Sequence, residues 1–443
     1  MKDFSSISAH SSFRKYALPV LKATVSGFFG CDVKFVAAPL KWAADQYSID
    51  IASAPRRGFY PVDGSTAIIL GRVIDNRKTM ACFALELTNG SFVYQAPLLQ
   101  TFEGVLTHLT SSGFRTRYTQ GAKDFSESMI VETIGKHFGK GTFGYQQVVQ
   151  FVEMFQRLSN AKFEGENFST GLILTRSPTA FFSERSDGRP GGTVLPLENP
   201  IPMSLGSEIK KRFWYLADGR TSYFLCGGSP GKKPVIVGQF FLNPEFAHGD
   251  PHLDTYTLSR TLRGSDALFR VMSVGEASVV GGDGLELLYK EGAWRARSLL
   301  DFRNIMQNFA SASSKVADVL ISIVLRVSQS RRSALIWITE DESARKSLLL
   351  TRHRLHKTSM SLLEPSHRST IIRFLTSDGA VVVTPQGSVE YYGCIVDIAK
   401  LETSGVSGTG ESVGQILGKH GVAVKISQDG NIKVFYGERK QVL

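Results

Sequence analysis

Cysteine is scarce in this chain: Cys31, Cys82, Cys226 and Cys394 are the only four in 443 residues. They lie far apart and form no Cys-x-x-Cys pair, which removes the zinc-ribbon and dithiol redox classes. They read as small core residues of a protein kept reduced in a cytoplasmic compartment. Long apolar runs are lacking too. Residues 1–16 are rich in serine and have no continuous apolar core, so the h-region of a secretory signal is missing. The most membrane-like stretch, 316–327, is interrupted by Asp318 and Arg326 and is too short to span a bilayer. No membrane partner is expected. Internal repeats of solenoid or propeller period are absent. Walker loops fail as well: the stretches ending in Lys140 and Lys232 have the wrong glycine spacing, and neither lysine is followed by Ser or Thr.

What is present is a hydrophobic content of 42%, enough for two or three cores, and a formal net charge of +11. That charge admits phosphate-bearing partners of any size. Between Arg345 and Arg373 seven Lys/Arg face one acid, Glu364. Either a solvated helix face or an anion-facing surface accounts for such a segment; nucleic acid is disfavoured because no recognised motif accompanies it.

Periodicity divides the chain. Apolar residues at three- and four-residue steps over 301–329 predict one long helix with Asp301 as N-cap. A buried strand follows at 334–339, then helices at 343–350 and 366–375. A hairpin is expected from 380–384 into 388–394, then a short helix at 412–420 closed by Gly421, and strands 422–427 and 432–436 around Asp429-Gly430. This predicts an α/β fold whose C-terminal domain, 301–443, is a mixed sheet flanked by helices on both faces. Upstream, an α+β subdomain (1–165) and a mainly β, sensor-like subdomain (166–300) are expected. Their strands are placed at 66–73, 82–87, 212–216, 235–241, 268–272 and 285–289, and their helices at 98–111 and 145–158.

Several chemical motifs can be weighed. Gly410-Glu411-Ser412-Val413-Gly414 has the form of a hydrolase nucleophile elbow, but no strand precedes it and the acid–histidine order is reversed, since His420 precedes Asp429. The cluster His248-Gly249-Asp250-Pro251-His252-Leu253-Asp254 could ligate metal, yet Pro251 prevents a helical face and a surface loop is the simpler account. The more informative pair is Asp378-Gly379-Ala380, opening an apolar strand, and Ser407-Gly408-Thr409-Gly410-Glu411-Ser412, entering a helix. A carboxylate at a strand start and a glycine-rich helix entrance are parts of a metal–nucleotide site.

In order and spacing these residues resemble the diadenylate cyclase family over roughly residues 302–436. The resemblance implies condensation of two ATP into cyclic di-AMP with Mg²⁺ or Mn²⁺. Asp378 would serve catalysis and hold the metal, and Thr409 would share the catalytic role. Gly379, Ala380, Gly408, Gly410, Glu411 and Ser412 would lie against the nucleotide. Self-association through the C-terminal domain is implied, because one domain holds one ATP. The family's Gly-Thr-Arg-His-Arg motif is matched only at Gly408 and Thr409; Gly410, Glu411 and Ser412 replace the basic triplet, and a glutamate there repels phosphate. A catalytically degenerate, nucleotide-binding signalling module is the alternative. Thr351-Arg352-His353-Arg354 is either a coincidence of a basic segment or a replacement folding back on the site. Residues 267–295 resemble accessory sensor domains that precede such cyclases.

Overall fold

The computed structural model describes residues 18–30, 32–36, 59–61, 66–69, 74–75, 78–79, 82–86, 96–111, 122–139, 143–163, 165–167, 169–182, 191–203, 211–228, 232–243, 255–355, 360–397 and 409–443. The chain divides into two compact units. Unit 1 comprises Met1–Asp187, Gly192–Phe241 and Leu262–Arg297; unit 2 comprises Gly188–Gly191, Leu242–Thr261 and Ser298–Leu443. Both are built on mixed sheets flanked by helices, the α/β class expected from the sequence.

In unit 1 the helix Tyr145–Leu158 buries Val148, Phe151, Val152 and Phe155, a three–four spacing that gives one apolar face. Phe151 and Phe155 meet Phe269 of the strand Ala267–Ser273 at ring distances of 5.6 and 5.5 Å. That strand belongs to an eight-stranded sheet in which Ser222–Gly227 runs parallel to Thr170–Thr175 and Ala267–Ser273 antiparallel to it. Inside the sheet, Glu286 is held between the guanidinium groups of Arg270 and Arg297, all three buried. The strand expected at 212–216 is instead a short helical turn, Lys211–Trp214. Trp214 is buried beside Phe155 and Phe224, and Asp218 closes the chain behind it by accepting from the amides of Arg220, Thr221 and Ser222.

Unit 2 carries the elements labelled from here on: α1 (Thr255–Thr261), α2 (Leu299–Ala310), α3 (Ser314–Gln329), β1 (Ala334–Ile338), α4 (Glu342–Leu348), β2 (Leu349–Arg354), α5 (Arg368–Leu375), β3 (Ala380–Val383), β4 (Val389–Val396), α6 (Thr409–Gly418), β5 (Val422–Ile426), β6 (Ile432–Tyr436) and β7 (Arg439–Val442). The sheet order is β2-β4-β3-β1-β5-β6-β7, with β1 and β3 parallel and the other pairs antiparallel. In the central strand, Ala334, Ile336 and Ile338 pack into one core with α2, α3 and α5, while Leu335 and Trp337 face a second core with α4 and α6. Period-2 alternation with both faces apolar is what a fully covered strand requires.

Three local expectations are corrected. The single helix over 301–329 is two, because Ser311 turns left-handed (φ 52°) and Ser313 caps α3 by accepting from the amide of Val316. Serines at 311, 313 and 314 offer the backbone capping bonds that compete with helix continuation. Asp301 is not the N-cap: Ser298 is, accepting from the Asp301 amide. Residues 349–350, expected to end a helix, begin β2, since pairing with β4 supplies the partners that an isolated segment lacks. The metal-like cluster at 248–254 lies outside the described residues.

Candidate functional site

The turn before β3 shows why the sequence reads Asp-Gly-Ala. Gly379 has φ +87°, and a Cβ there would stand 2.7 Å from the Gly393 carbonyl carbon and 2.8 Å from the Cys394 nitrogen. Only glycine meets both demands. β4 comes this close because it bulges opposite β3, the register slipping between Ala380↔Cys394 and Val382↔Tyr391. Asp378, at the exposed corner, accepts a 3.0 Å hydrogen bond from the Gly379 amide, and Ala380 is buried between Leu335 and Cys394.

α6 reaches the same place by a stripe of glycines. A Cβ on Gly414 would stand 2.6 Å from the Phe435 ring, one on Gly418 2.8 Å from the Phe435 backbone, and one on Gly410 3.0 Å from Lys425 Cε. The Gly-x-Ser-x-Gly pattern is therefore a helix packing surface: Gly410 and Gly414 let α6 lie on β5 and β6, and Ser412 is an ordinary helical residue rather than a nucleophile on an elbow.

Together these elements enclose an open cavity of about 650 Å³, within the few-hundred-Å³ range of small-molecule sites. Leu335, Ala380, Cys394, Val396 and Val413 form an apolar floor. Asp378, Gly379, Gly410 and Gln428 lie around it, and Arg331, Arg332 and Ser333 enter from the α3–β1 turn and Lys425 from β5. Among the described residues, Asp378 is the one carboxylate of the lining, against three cationic residues. Lys425 donates to Ser333 Oγ at 2.8 Å, and burial holds its ammonium below the usual lysine range. Burial likewise pushes the Cys394 thiol up to about 12, so it is no nucleophile.

Of the residues singled out from sequence, Asp378, Gly379, Ala380 and Gly410 line this one cavity. Gly408 lies outside the described residues; Thr409 is the first residue of α6, and its side chain is not described. Glu411 and Ser412 are not among the lining residues. The Glu411 carboxylate is bound by Lys433 Nζ and, at 3.0 Å, by Lys440 Nζ. Burial opposes its ionisation, but hydrogen bonds and charge from the two lysines outweigh that and hold it below the usual carboxylate range. The repulsion expected of this glutamate is thus compensated within the domain.

The Thr351–Arg354 string does not fold back: it lies along edge strand β2, with Arg352 over the Tyr391 ring and donating to the Arg345 carbonyl, and none of it lines the cavity. Nor is the basic stretch 345–373 one face among the described residues: on α4 Arg345 is buried against Glu390 while Lys346 is exposed, Arg352 and Arg354 lie on β2, and Arg368 and Arg373 on α5. The residues that sequence reasoning missed are Arg331, Arg332 and Lys425. Lys425 did leave a signal, as the one charge on an inward position of an apolar strand.

A single carboxylate beside a cavity fits Mg²⁺ or Mn²⁺ held jointly with nucleotide phosphates, the usual arrangement for Mg²⁺. Among the described residues no group of three or more His, Cys, Asp or Glu could form an all-protein metal cage. No helix among them is long and apolar enough to cross a membrane.

No protein-family model matches the chain, and no curated protein does. Among solved structures it is similar to a hypothetical membrane spanning protein from Bacillus cereus, at 15% identity over 30% of this chain and 70% of that one, with a TM-score of 0.24. It is also similar to a double mutant of DacA from Staphylococcus aureus, a diadenylate cyclase, at 14% identity over 29% of this chain and 85% of that one, with a TM-score of 0.22. The likeness to both is weak.

Proposed function

We propose that unit 2 is a nucleotidyltransferase of diadenylate cyclase type, and that the upstream region is a sensor coupled to it. One observation carries the reading: Asp378-Gly379-Ala380 and the start of α6, 30 residues apart in sequence, line a single cavity of nucleotide size. In this reading ATP lies on the apolar floor with its phosphates toward the cationic side, and Asp378 holds Mg²⁺ or Mn²⁺ at the rim. The metal supplies neutralisation of charge developing on the phosphates. Gly379 and Ala380 present a flat, side-chain-poor surface to the nucleoside. The 3′-hydroxyl of one ATP attacks the α-phosphorus of another; a phosphorus–oxygen bond forms, the bond to pyrophosphate breaks, and the hydroxyl proton leaves to solvent. A second such step closes the ring. Because one cavity presents one nucleotide, two copies of the chain meet for the reaction.

Incubating the purified chain with ATP and Mn²⁺ and resolving the products is the direct test, with cyclic di-AMP and two pyrophosphates per product expected. The alternative, a nucleotide-binding signalling module without turnover, is favoured by the absence of any basic side chain at positions 410–412. ATP binding with no pyrophosphate release would select it.

A further inference from the structure

Resting on the reading of this cavity as a nucleotide site, we infer that its polyphosphate is recognised by Lys425 of β5, flanked by Arg331 and Arg332 of the α3–β1 turn, rather than by side chains at the start of α6.

In β5, Val422, Val424 and Ile426 face the core shared with α2 and α3, so Ala423 and Lys425 face the α6 side. Lys433 is the register partner of Lys425 on β6 and shares that face. Two ammonium groups side by side repel, and the fold treats them differently. Glu411 takes Lys433 together with Lys440, whereas Lys425 has only the Ser333 hydroxyl and no carboxylate among the described residues. A half-buried lysine without a counter-ion, lining a cavity, is a costly arrangement that an anionic ligand relieves. Its place is fixed by Gly410: the absent side chain there leaves the space that Lys425 Cε and Nζ occupy at 3.0 and 3.3 Å from the missing Cβ. Arg331 adds to the case. It follows the C-cap of α3 with φ +53°, a left-handed position that glycine would fill more cheaply, and it borders the cavity. Glu411 is then a positioning residue, drawing two lysines to itself so that the third keeps its charge for the cavity.

The test uses the full chain and two probes, inorganic triphosphate without divalent metal and adenosine, by titration calorimetry. Triphosphate should bind the wild type. Lys425→Met should weaken that binding about tenfold or more, the size expected for a lost charge-assisted hydrogen bond. Lys425→Arg should restore most of it, and adenosine binding should be unmoved by either change. Lys425→Gln, which keeps a polar end for Ser333, covers the case in which Lys425→Met fails to fold, and Lys419→Met is the control for net charge on an exposed residue. Unchanged triphosphate affinity in both neutral variants overturns the inference, as does a wild type that does not bind triphosphate, and ATP turnover would leave the proposed function standing in either case. Binding that depends on Lys425 in a protein that forms no dinucleotide supports the inference and removes the enzyme.

Discussion

At the scale of single residues, Gly379 and Asp301 make the sharpest statements. Gly379→Ala must place a Cβ into the Gly393–Cys394 backbone at a left-handed φ, whereas Gly437, also left-handed at +55°, has open space around it. The Gly379 change should cost about 2–4 kcal/mol and the Gly437 change about 1 kcal/mol, the difference being the steric part; urea denaturation of the two variants measures both. Asp301 is buried at the third residue of α2, and burial raises its carboxyl from 3.8 to about 7 despite the Ser298 bond that opposes the shift. Between those two values the folded state binds the extra proton, so this group's contribution is complete below about pH 4 and declines as pH rises through 7. Asp301→Asn cannot ionise, and its melting temperature relative to wild type should therefore increase from pH 5 to about pH 7 and level off toward pH 8. A constant difference across that range would show the carboxyl to be unperturbed. Alternating strands and glycine-punctuated turns made Gly379 visible in the sequence as a corner. The bulge in β4 that forces glycine there is a product of pairing and was not visible.

At the scale of elements, α6 departs most from its local preferences. Three glycines in ten residues disfavour a helix by roughly 1 kcal/mol each relative to alanine. Their compensation is close approach to β5 and β6, so Gly414→Ala should destabilise unit 2 although alanine is the better helix former. The 2.6 Å contact is with the Phe435 ring. Phe435→Leu in the Gly414→Ala background should recover part of the loss, and a double-mutant cycle in denaturant reads the coupling, which should exceed about 0.5 kcal/mol. Additive costs would mean that α6 does not rest on that ring. The α2–α3 break shows the opposite case, where local chemistry was strong and the period-based reading overrode it. Apolar spacing continues through 309–316, but the serines between supply a cap and a left-handed residue.

For the whole molecule, two units with separate cores give two places where stability can be lost. In unit 1, Glu286 lies fully buried between two arginines, and removing it takes the carboxylate away from two buried cations. Glu286→Ala should cost about 3–5 kcal/mol, seen as lost hydrogen-exchange protection in strands Ala267–Ser273 and Glu276–Gly281; unchanged protection there would argue that the arginines find water instead. By itself the sequence determined the mixed α/β class, the buried strands expected at 334–339, 380–384, 422–427 and 432–436 to within a residue of where they form, and the Asp-Gly-Ala corner, because period, turn residues and capping side chains act over a few positions. Tertiary structure alone decided that β2 is a strand, that Glu411 belongs to Lys433 and Lys440, and that Lys425 and Arg331-Arg332 share a cavity with Asp378. Those outcomes depend on which strands become neighbours across a sheet, and a cavity shared by residues 47 and 94 apart, as Asp378 is from Lys425 and Arg331 is from Lys425, leaves no local pattern in a chain.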